Sequence, residues 1–172
     1  MTAVLAPPQV QNPKPVDRDF IRLGRSKIEG TGVFAKRRIP RGARIIEYTG
    51  DRVPIDAPVA PPGAADADLA RTYRLGLDAT TVIDGAKNGN EARFVNHSCD
   101  PNCEMYVFDS RAYLYPIRDL RRGEELTFDY RLAPADPTQT GSLDEPSYRC
   151  RCRAPKCRGT LLAPRLTLLE NS

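Results

Sequence analysis

The stretch "RFVNHSCDPNC", residues 93–103, contains the chain's only histidine and two of its five cysteines. An asparagine, the histidine, a serine and a cysteine stand side by side at residues 96–99. Such groups occur together in metal sites and around thiol nucleophiles. The third possibility is that they serve some other purpose. The rest of the sequence has to decide among them.

A cysteine nucleophile is a poor explanation for this stretch. Cys99 lies two residues from His97, whereas catalytic Cys–His pairs normally come from distant positions that the fold brings together. The chain has no second histidine. Ser98, directly beside His97, is an even poorer candidate, so hydrolase chemistry is not expected here.

A second group of cysteines favours a metal site. The segment "CRCRAPKC" contains Cys150, Cys152 and Cys157 in a C-x-C-x4-C spacing. Three thiols this close cannot all pair with one another as disulfides, but thiolates in a tight loop suit tetrahedral zinc, and a structural zinc needs a fourth ligand. The other candidate ligands all lie in the opening stretch: His97, Cys99 and Cys103.

The composition describes an ordinary soluble domain. The 172 residues are 40% hydrophobic and 28% charged, and the net charge is +4. The basic residues are spread along the chain, so charge alone does not indicate nucleic-acid binding. No apolar run approaches the ~20 residues that cross a bilayer. The N-terminus lacks the basic and apolar regions of a secretion signal, so an intracellular protein with reduced thiols is predicted.

Short β-rich runs separated by Gly and Pro predict a protein of strands and turns. "CEMYVFD" and "RAYLYPI" flank Ser110 as in a hairpin, and "RRGEELTFDY" indicates a turn followed by a strand. Glu124, Glu125 and Asp129 are interpreted as that turn and its surroundings rather than as a hydrolytic carboxylate pair. The predicted organisation is a flexible tail (1–19), a domain (20–132) with a loose insert (about 51–71), a linker (133–147), a cysteine segment (148–162) and a C-terminal tail (163–172).

Four motifs occur in a specific order: "GTGVFAKRRIPRGARIIEYTG", "RFVNHSCDPNC", "LRRGEELTFDY" and "CRCRAPKCRGTLL". Together they resemble the SET-domain protein-lysine methyltransferases, including their cysteine-rich post-SET segment, over about residues 20–162. The resemblance implies a mainly β fold, with several small sheets around a pseudoknot, short helices and a post-SET zinc loop. It also implies that "RFVNHSC" and "ELTFDY" meet at the crossing and form the floor of the active site.

The resemblance further implies two bound groups, S-adenosylmethionine and a zinc ion. Cys99 is expected to join Cys150, Cys152 and Cys157 on the zinc. Cys103 is then left over and is interpreted as a small buried hydrophobic residue. Because zinc closes the post-SET segment over the cleft, metal binding and formation of the active site are expected to be coupled.

The expected cofactor site is built around Asn96, through its amide, and His97, largely through its backbone. Family members often carry a basic or aromatic residue just before the first glycine of the "EGTGVF" turn, and Glu29 departs from that pattern. Arg151, between two zinc ligands, is expected on the adenine side. The further cofactor contacts implied by the resemblance are Thr31, Gly32, Tyr73, Arg93 and Tyr130.

Tyr130 is the expected main catalytic tyrosine, and its hydroxyl would orient the methyl group and the attacking amine. Tyr73 is expected to assist, and Tyr73 and Tyr48 would form walls of the lysine channel. Phe128 borders the same channel. A tyrosine there would hold a water in the space that later methyl groups need, so the phenylalanine predicts di- or trimethylation.

The expected partner is a protein or peptide that carries a lysine, with no membrane. Two other functions remain open from the residues: a zinc-stabilised peptide-binding module without catalysis, and a nucleic-acid-binding zinc protein. Asn96, His97 and Tyr130 are all present, which favours the enzyme. The compartment would be the cytoplasm of a bacterium, or the nucleus and chromatin if the substrate is a histone.

Overall fold

The computed structural model describes residues 18–58, 73–132 and 148–163. The strands are short because Gly and Pro, 12 and 16 residues in the chain, interrupt the β-branched and aromatic runs. Within the described ranges the chain forms two short 3-10 helices, Arg18–Phe20 and Glu91–Phe94. The strands are β1 Ile21–Arg25, β2 Thr31–Ala35, β3 Ile46–Tyr48, β4 Asp51–Pro54, β5 Arg74–Gly76, β6 Thr81–Asp84, β7 Asn96–His97, β8 Cys103–Phe108, β9 Arg111–Pro116 and β10 Thr127–Phe128.

The strands form several small sheets, as predicted. Three of the sheets are antiparallel, with the strand orders β1-β2, β3-β9-β8 and β4-β6-β5. The predicted hairpin around Ser110 is confirmed, since β8 and β9 pair from Cys103↔Pro116 to Phe108↔Arg111. Asp109 and Ser110 turn the chain with positive φ angles of 47° and 57°, the conformation that suits a two-residue hairpin loop.

The loop predicted from residue 51 was wrong for its first four residues. Asp51 to Pro54 form β4, which pairs antiparallel with β6 from Asp51↔Asp84 to Pro54↔Thr81. Asp and Pro disfavour strands by themselves, and pairing with a distant strand overrides that preference. Residues 55–58 contain no strand, as the loop prediction expected, and the described residues leave out 59–72, so 59–71 of the predicted insert lie outside them. So do 1–17 of the predicted tail, the linker 133–147 and residues from 164 onward.

The hydrophobic core lies between the three-stranded sheet of β3, β9 and β8 and the segments that cross it. Its fully buried members come from β2, β3, β9, the loops that precede β3 and β10, and the segment from the second 3-10 helix to β7. Cys103 is also fully buried and belongs to this core, which confirms its interpretation as a small hydrophobic residue. Among the described residues, no helix has the length and apolar character that crossing a membrane requires.

The fourth sheet positions the candidate site. β7 and β10 pair in parallel, with Thr127 opposite Asn96 and Phe128 opposite His97. The backbone N–H of Ser98 donates to the Phe128 carbonyl at 3.1 Å, and the N–H of Leu126 donates to the Val33 carbonyl at 2.8 Å. The predicted meeting of "RFVNHSC" with "ELTFDY" is therefore confirmed, and β2 supports it from the other side.

Candidate functional site

The side chain of Asn96 ties β7 to the turn before β2. Asn96 is buried, and the two N–H groups of its amide are shared among three acceptors: the Glu29 carbonyl at 3.1 Å, the Thr31 carbonyl at 3.2 Å and Oε1 of Glu125 at 2.9 Å. All three partners are acceptors only, so they fix which end of the amide is the nitrogen. None of the described residues donates to the amide oxygen, which leaves that atom for a ligand.

His97 is neutral and holds two parts of the site together. Nδ1 accepts the backbone N–H of Tyr130 at 3.2 Å, so the ring proton is on Nε2, which lies 3.3 Å from the Cys99 sulfur. Burial lowers the pKa of His97 to about 4, although the nearby Asp129 carboxylate opposes that shift. The 3.6 Å approach of Nδ1 to Asp129 is therefore not an ion pair near neutral pH.

Three tyrosines that are far apart in the sequence lie near one another. Tyr130, Tyr73 and Tyr48 are close enough to influence one another electrostatically. The hydroxyl of Tyr48 donates to the Tyr73 carbonyl at 2.7 Å, and the Tyr73 ring packs edge-on against Phe94 at 6.3 Å. Tyr48 is buried, with 3% of its surface exposed. The structure thus brings together the residues that were expected to form the lysine channel.

Tyr130 is oriented from both ends. Its backbone N–H donates to His97, and its hydroxyl donates to the Val95 carbonyl at 2.9 Å. Burial and the neighbouring Tyr48 and Tyr73 raise the pKa of Tyr130 above its usual range, so the hydroxyl keeps its proton. The Phe128 ring lies 4.8 Å from the Tyr130 ring and is 8% exposed. Phe128 therefore both packs in the core and borders Tyr130, the tyrosine expected to be catalytic.

The turn between β1 and β2 approaches Asn96 closely. Gly30 has a φ of 43°, which glycine adopts most easily, and the backbone N–H of Ser26 closes the turn on its carbonyl at 2.9 Å. The Thr31 carbonyl accepts from Asn96, and Gly32 is buried at the start of β2. The residues expected to contact the cofactor from this turn therefore lie next to β7.

Two arginines expected near the cofactor have partners within the protein. Arg93 donates to the Gly85 carbonyl at 3.2 Å and stacks over the Phe94 ring, while its Nε is buried without a partner among the described residues. Arg151 forms an ion pair with Glu29. The cysteine segment thus contacts the "EGTG" turn at the position where this chain departs from the family pattern.

Four cysteines converge on one point. The ligand atoms of Cys99, Cys150, Cys152 and Cys157 all lie within 4.8 Å of one another. The Cys99 sulfur is 3.7 Å from that of Cys150 and 4.0 Å from that of Cys157. Bonds of about 2.3 Å from zinc to four tetrahedral sulfurs imply S···S separations of roughly 3.8 Å, whereas a disulfide requires about 2.05 Å. The cluster therefore has the spacing of a four-thiolate metal site, and Cys103 is not part of it.

Backbone N–H groups donate to each of the four sulfurs. Arg158 donates to Cys99 at 3.3 Å, Cys152 to Cys150 at 3.4 Å, Cys99 to Cys152 at 3.5 Å and Gly159 to Cys157 at 3.4 Å. Such bonds favour the thiolate form that metals require. Burial raises the pKa of the Cys99 and Cys150 thiols, whereas at Cys152 the hydrogen bonds outweigh burial and lower the pKa to about 6.

Arg158 joins the cysteine segment to the residue that directly follows β10. Its guanidinium donates to both carboxylate oxygens of Asp129, at 2.9 and 2.7 Å. Burial raises the pKa of Asp129, but the bonds from Arg158 outweigh it and hold that pKa below its usual range. Leu132 extends this contact by backbone bonds to Leu161 and Ala163. Sequence reasoning missed Arg158 and gave Asp129 no role in the site, since no spacing rule connects positions 29 residues apart.

Comparison with protein families identifies the domain type. A family profile described as "SET domain" matches residues 30–131. This range contains the β7–β10 pair, all three tyrosines and Cys99.

Curated relatives share most of the chain. It is 38% identical over 137 residues to the histone-lysine N-methyltransferase ash1 of Drosophila melanogaster, covering 77% of this chain and 6% of that protein. It is 35% identical over 147 residues to an H3 lysine-4 specific histone-lysine N-methyltransferase of Saccharomyces cerevisiae, covering 82% of this chain and 13% of that protein. The corresponding protein of Eremothecium gossypii is 34% identical over 147 residues, with 82% and 14% covered. The chain therefore spans only a small part of these relatives.

Proposed function

This chain belongs to the SET-domain family, and we propose that it is a protein-lysine N-methyltransferase that uses S-adenosylmethionine. The observation that carries the proposal is the parallel pairing of β7 with β10. This pairing brings Asn96 and His97 next to Tyr130, with Tyr48 and Tyr73 nearby. No protein nucleophile is required for methyl transfer, which agrees with the absence of a suitable Cys–His or Ser–His pair in the sequence.

The lysine must be neutral to react. S-adenosylmethionine, when bound, supplies a methyl group on a positive sulfonium, and the amine forms the N–C bond as the S–C bond breaks. With a reference pKa of ~10.4, deprotonation of lysine at pH 7 costs about 4.6 kcal/mol. A channel walled by Tyr48 and Tyr73 disfavours the charged amine by desolvation. The Tyr130 hydroxyl remains protonated and orients the reacting groups.

The residues around Asn96 fit such a cofactor. Its amide nitrogen is engaged within the protein and its oxygen is left as an acceptor, which suits the ammonium group of a methionine moiety. We propose that the backbone at Thr31 and Gly32 contributes further contacts, with His97 acting through its backbone. Tyr73, Arg93, Tyr130 and Arg151 complete the proposed cofactor site.

We further propose that the cysteine cluster holds one structural zinc ion. Four thiolates at tetrahedral spacing form a closed site with no position for water. Cys99 belongs to the segment that continues β7, and the other three belong to residues 148–162. Zinc would therefore attach the proposed post-SET segment to the floor of the active site.

We propose that the enzyme adds two or three methyl groups. Phe128 lies beside Tyr130 and has no hydroxyl with which to hold a water near the amine. A poorly held water is easily displaced by a methyl group, so the amine has room to rotate and react again. The buried position of Phe128 is equally compatible with a packing role alone, and the product distribution distinguishes the two.

The names of the relatives suggest a substrate to assay first. Two of the three relatives described above are specific for lysine 4 of histone H3 by name, so a histone H3 tail is the first candidate. If a histone is the substrate, the protein acts in the nucleus or on chromatin. If the protein is bacterial, we expect it in the cytoplasm with a protein target there.

The test is incubation of purified protein with methyl-labelled cofactor and either H3 peptides or a cell lysate. Mass spectrometry then identifies modified lysines, with a peptide carrying arginine at the modified position as the control. Methylated lysine is the expected result. Peptide binding without methyl transfer would instead indicate a binding module, and salt-dependent binding to duplex DNA alone would indicate a nucleic-acid-binding protein.

A further inference from the structure

Glu125, in the loop before β10, makes two hydrogen bonds to different parts of the cofactor site. Its Oε1 accepts the Ser26 hydroxyl at 2.6 Å and the Asn96 amide nitrogen at 2.9 Å. Ser26 lies in the turn before β2 and Asn96 lies in β7. A single carboxylate oxygen therefore joins three segments that are remote from one another in the sequence.

The hydrogen bonds of Ser26 and Asn96 also fix the backbone of the turn. The Ser26 hydroxyl donates to Glu125 and accepts the backbone N–H groups of Ile28 at 2.9 Å and Glu29 at 3.3 Å. Asn96 in turn donates to the carbonyls of Glu29 and Thr31. The Glu125 carboxylate is thus connected to both ends of the turn, through the Ser26 side chain at one end and the Asn96 side chain at the other.

Gly32 makes room for the Glu125 carboxylate. A Cβ at residue 32 would overlap Oε1 of Glu125, and the φ of Gly32 is not in the left-handed region. Alanine would therefore suit the backbone, and the space for its methyl group is taken chiefly by the Glu125 carboxylate, with the Ser26 Cβ 3.1 Å away on another side. The turn and Glu125 are packed against each other as one unit.

We propose that Glu125 is a positioning residue for the cofactor. As an acceptor-only group it orients the Asn96 amide with the nitrogen inward, and through Ser26 it holds the turn that presents the backbone of Thr31 and Gly32. The inference rests on the proposed cofactor role of Asn96 and this turn. Glu125 does not touch the reacting atoms, so its loss affects cofactor binding more than the chemical step.

The first test compares Glu125→Ala and Glu125→Gln with the matched control Glu124→Gln. Glu124 is the adjacent carboxylate, and it pairs with Arg118 and Asn102 rather than with the site. Calorimetry with S-adenosylhomocysteine measures affinity, and steady-state kinetics separate kcat from the KM for the cofactor. We expect Glu125→Ala to weaken affinity about tenfold, the loss of one or two bonds to a charged acceptor, and Glu125→Gln less, since it keeps an acceptor oxygen. Glu124→Gln should leave affinity unchanged.

The second test is a double-mutant cycle with Gly32→Ala. The added methyl should weaken cofactor affinity in the wild type, and by less in the Glu125→Ala background, where the carboxylate no longer occupies the space. Should Glu125→Ala not fold, Ser26→Ala removes one bond to the same oxygen and is expected to give a smaller loss of affinity.

The outcomes separate this inference from the proposed function. A wild-type protein without affinity for the cofactor would overturn both. Wild-type cofactor affinity in Glu125→Ala would overturn the role of Glu125 alone. If Glu125→Ala does not fold, wild-type affinity in both Ser26→Ala and Glu125→Gln would overturn it. A lower melting temperature and kcat with unchanged affinity would show a structural role and also overturn it.

Discussion

The β7–β10 junction and the cysteine segment 148–163 form two sides of the same candidate site, but they are held in different ways. The junction is buried, and backbone bonds connect it to β2 on one side and to Ser98 on the other. In the cysteine segment Tyr148, Thr160 and Leu162 are buried, but the other residues are exposed or half-buried. Its attachments among the described residues are a few backbone bonds near Leu132, the four cysteines, and the pairs that Arg158 and Arg151 form.

We therefore expect the floor of the candidate site to form with the fold, and the cysteine segment to depend more on the proposed zinc ion and on a few polar contacts. Buried backbone pairing is cooperative with the core, and exposed segments with few buried apolar contacts open more easily. Mutations should therefore be able to change methyl transfer without changing the attachment of the cysteine segment, and the reverse. The following predictions test that separation.

The largest effect is expected from Tyr130→Phe. Loss of the hydroxyl should lower turnover about 100-fold, a loss of the size found for one preorganised hydrogen-bonding group, because the hydroxyl oxygen is expected to orient the reacting groups in the transition state. The ring still packs against Phe128 and His97, so cofactor affinity should change less than about threefold. Kinetics and calorimetric titration measure the two quantities. A loss of affinity equal to the loss of turnover would contradict the assigned role.

Next, Cys157→Ser should lower the metal content well below the one zinc per chain expected for the wild type. A weaker ligand opens the site, and residues 148–163 should then lose protection against hydrogen exchange while the β7–β10 junction keeps it. Elemental analysis and exchange mass spectrometry are the measurements. Cys103→Ser is the control, since Cys103 lies in the core outside the cluster, and it should leave the metal content unchanged. A metal-free protein with full activity would disprove the zinc site.

A smaller effect is expected from Arg158→Gln. The Arg158 and Asp129 side chains are 24% and 13% exposed, so the pair is partly screened by water, and we expect its loss to cost about 1.5–3 kcal/mol. Protection of residues 148–163 should fall by about tenfold or more, with zinc retained. The control is Arg149→Gln, an exposed arginine of the same segment. Equal protection in both variants would show that the ion pair does not hold the segment.

The smallest effect on rate is expected from Phe128→Tyr, which should change the product rather than the fold. A hydroxyl beside the amine should hold a water and shift the product toward monomethyl-lysine. Endpoint mass spectrometry with excess cofactor measures the distribution. A wild type that stops at one methyl group, or a variant with the same mixture, would leave Phe128 as a packing residue only.

Much of the site was predictable because its motifs are local. The C-x-C-x4-C spacing predicts thiolates that converge within one loop, and the structure brings Cys150, Cys152 and Cys157 together with Cys99. The order of the four motifs indicated the family. The hairpin around Ser110 followed from local strand and turn preferences. In these cases the information lies in short stretches of residues and in the order of those stretches along the chain.

Other parts of the site were not predictable from local pattern. Glu125 was interpreted as part of a turn, yet its carboxylate contacts Ser26, which lies 99 residues away. The prediction for residues 51–54 failed for the same reason, since β4 exists through its pairing with β6. The Glu29–Arg151 pair joins residues 122 positions apart, and neither residue indicates the other.

The sequence by itself determined the kinds of chemistry available: four soft ligands in two segments, tyrosines within β-rich motifs, and a glycine-containing turn. These are properties of single residues and short spacings. Only the tertiary structure decided which acceptors fix the Asn96 amide, which tautomer His97 adopts and which carboxylate receives Arg158. Those choices depend on parallel register, burial and the approach of distant segments, because a hydrogen bond is specified by the positions of both partners and the packed core sets those positions.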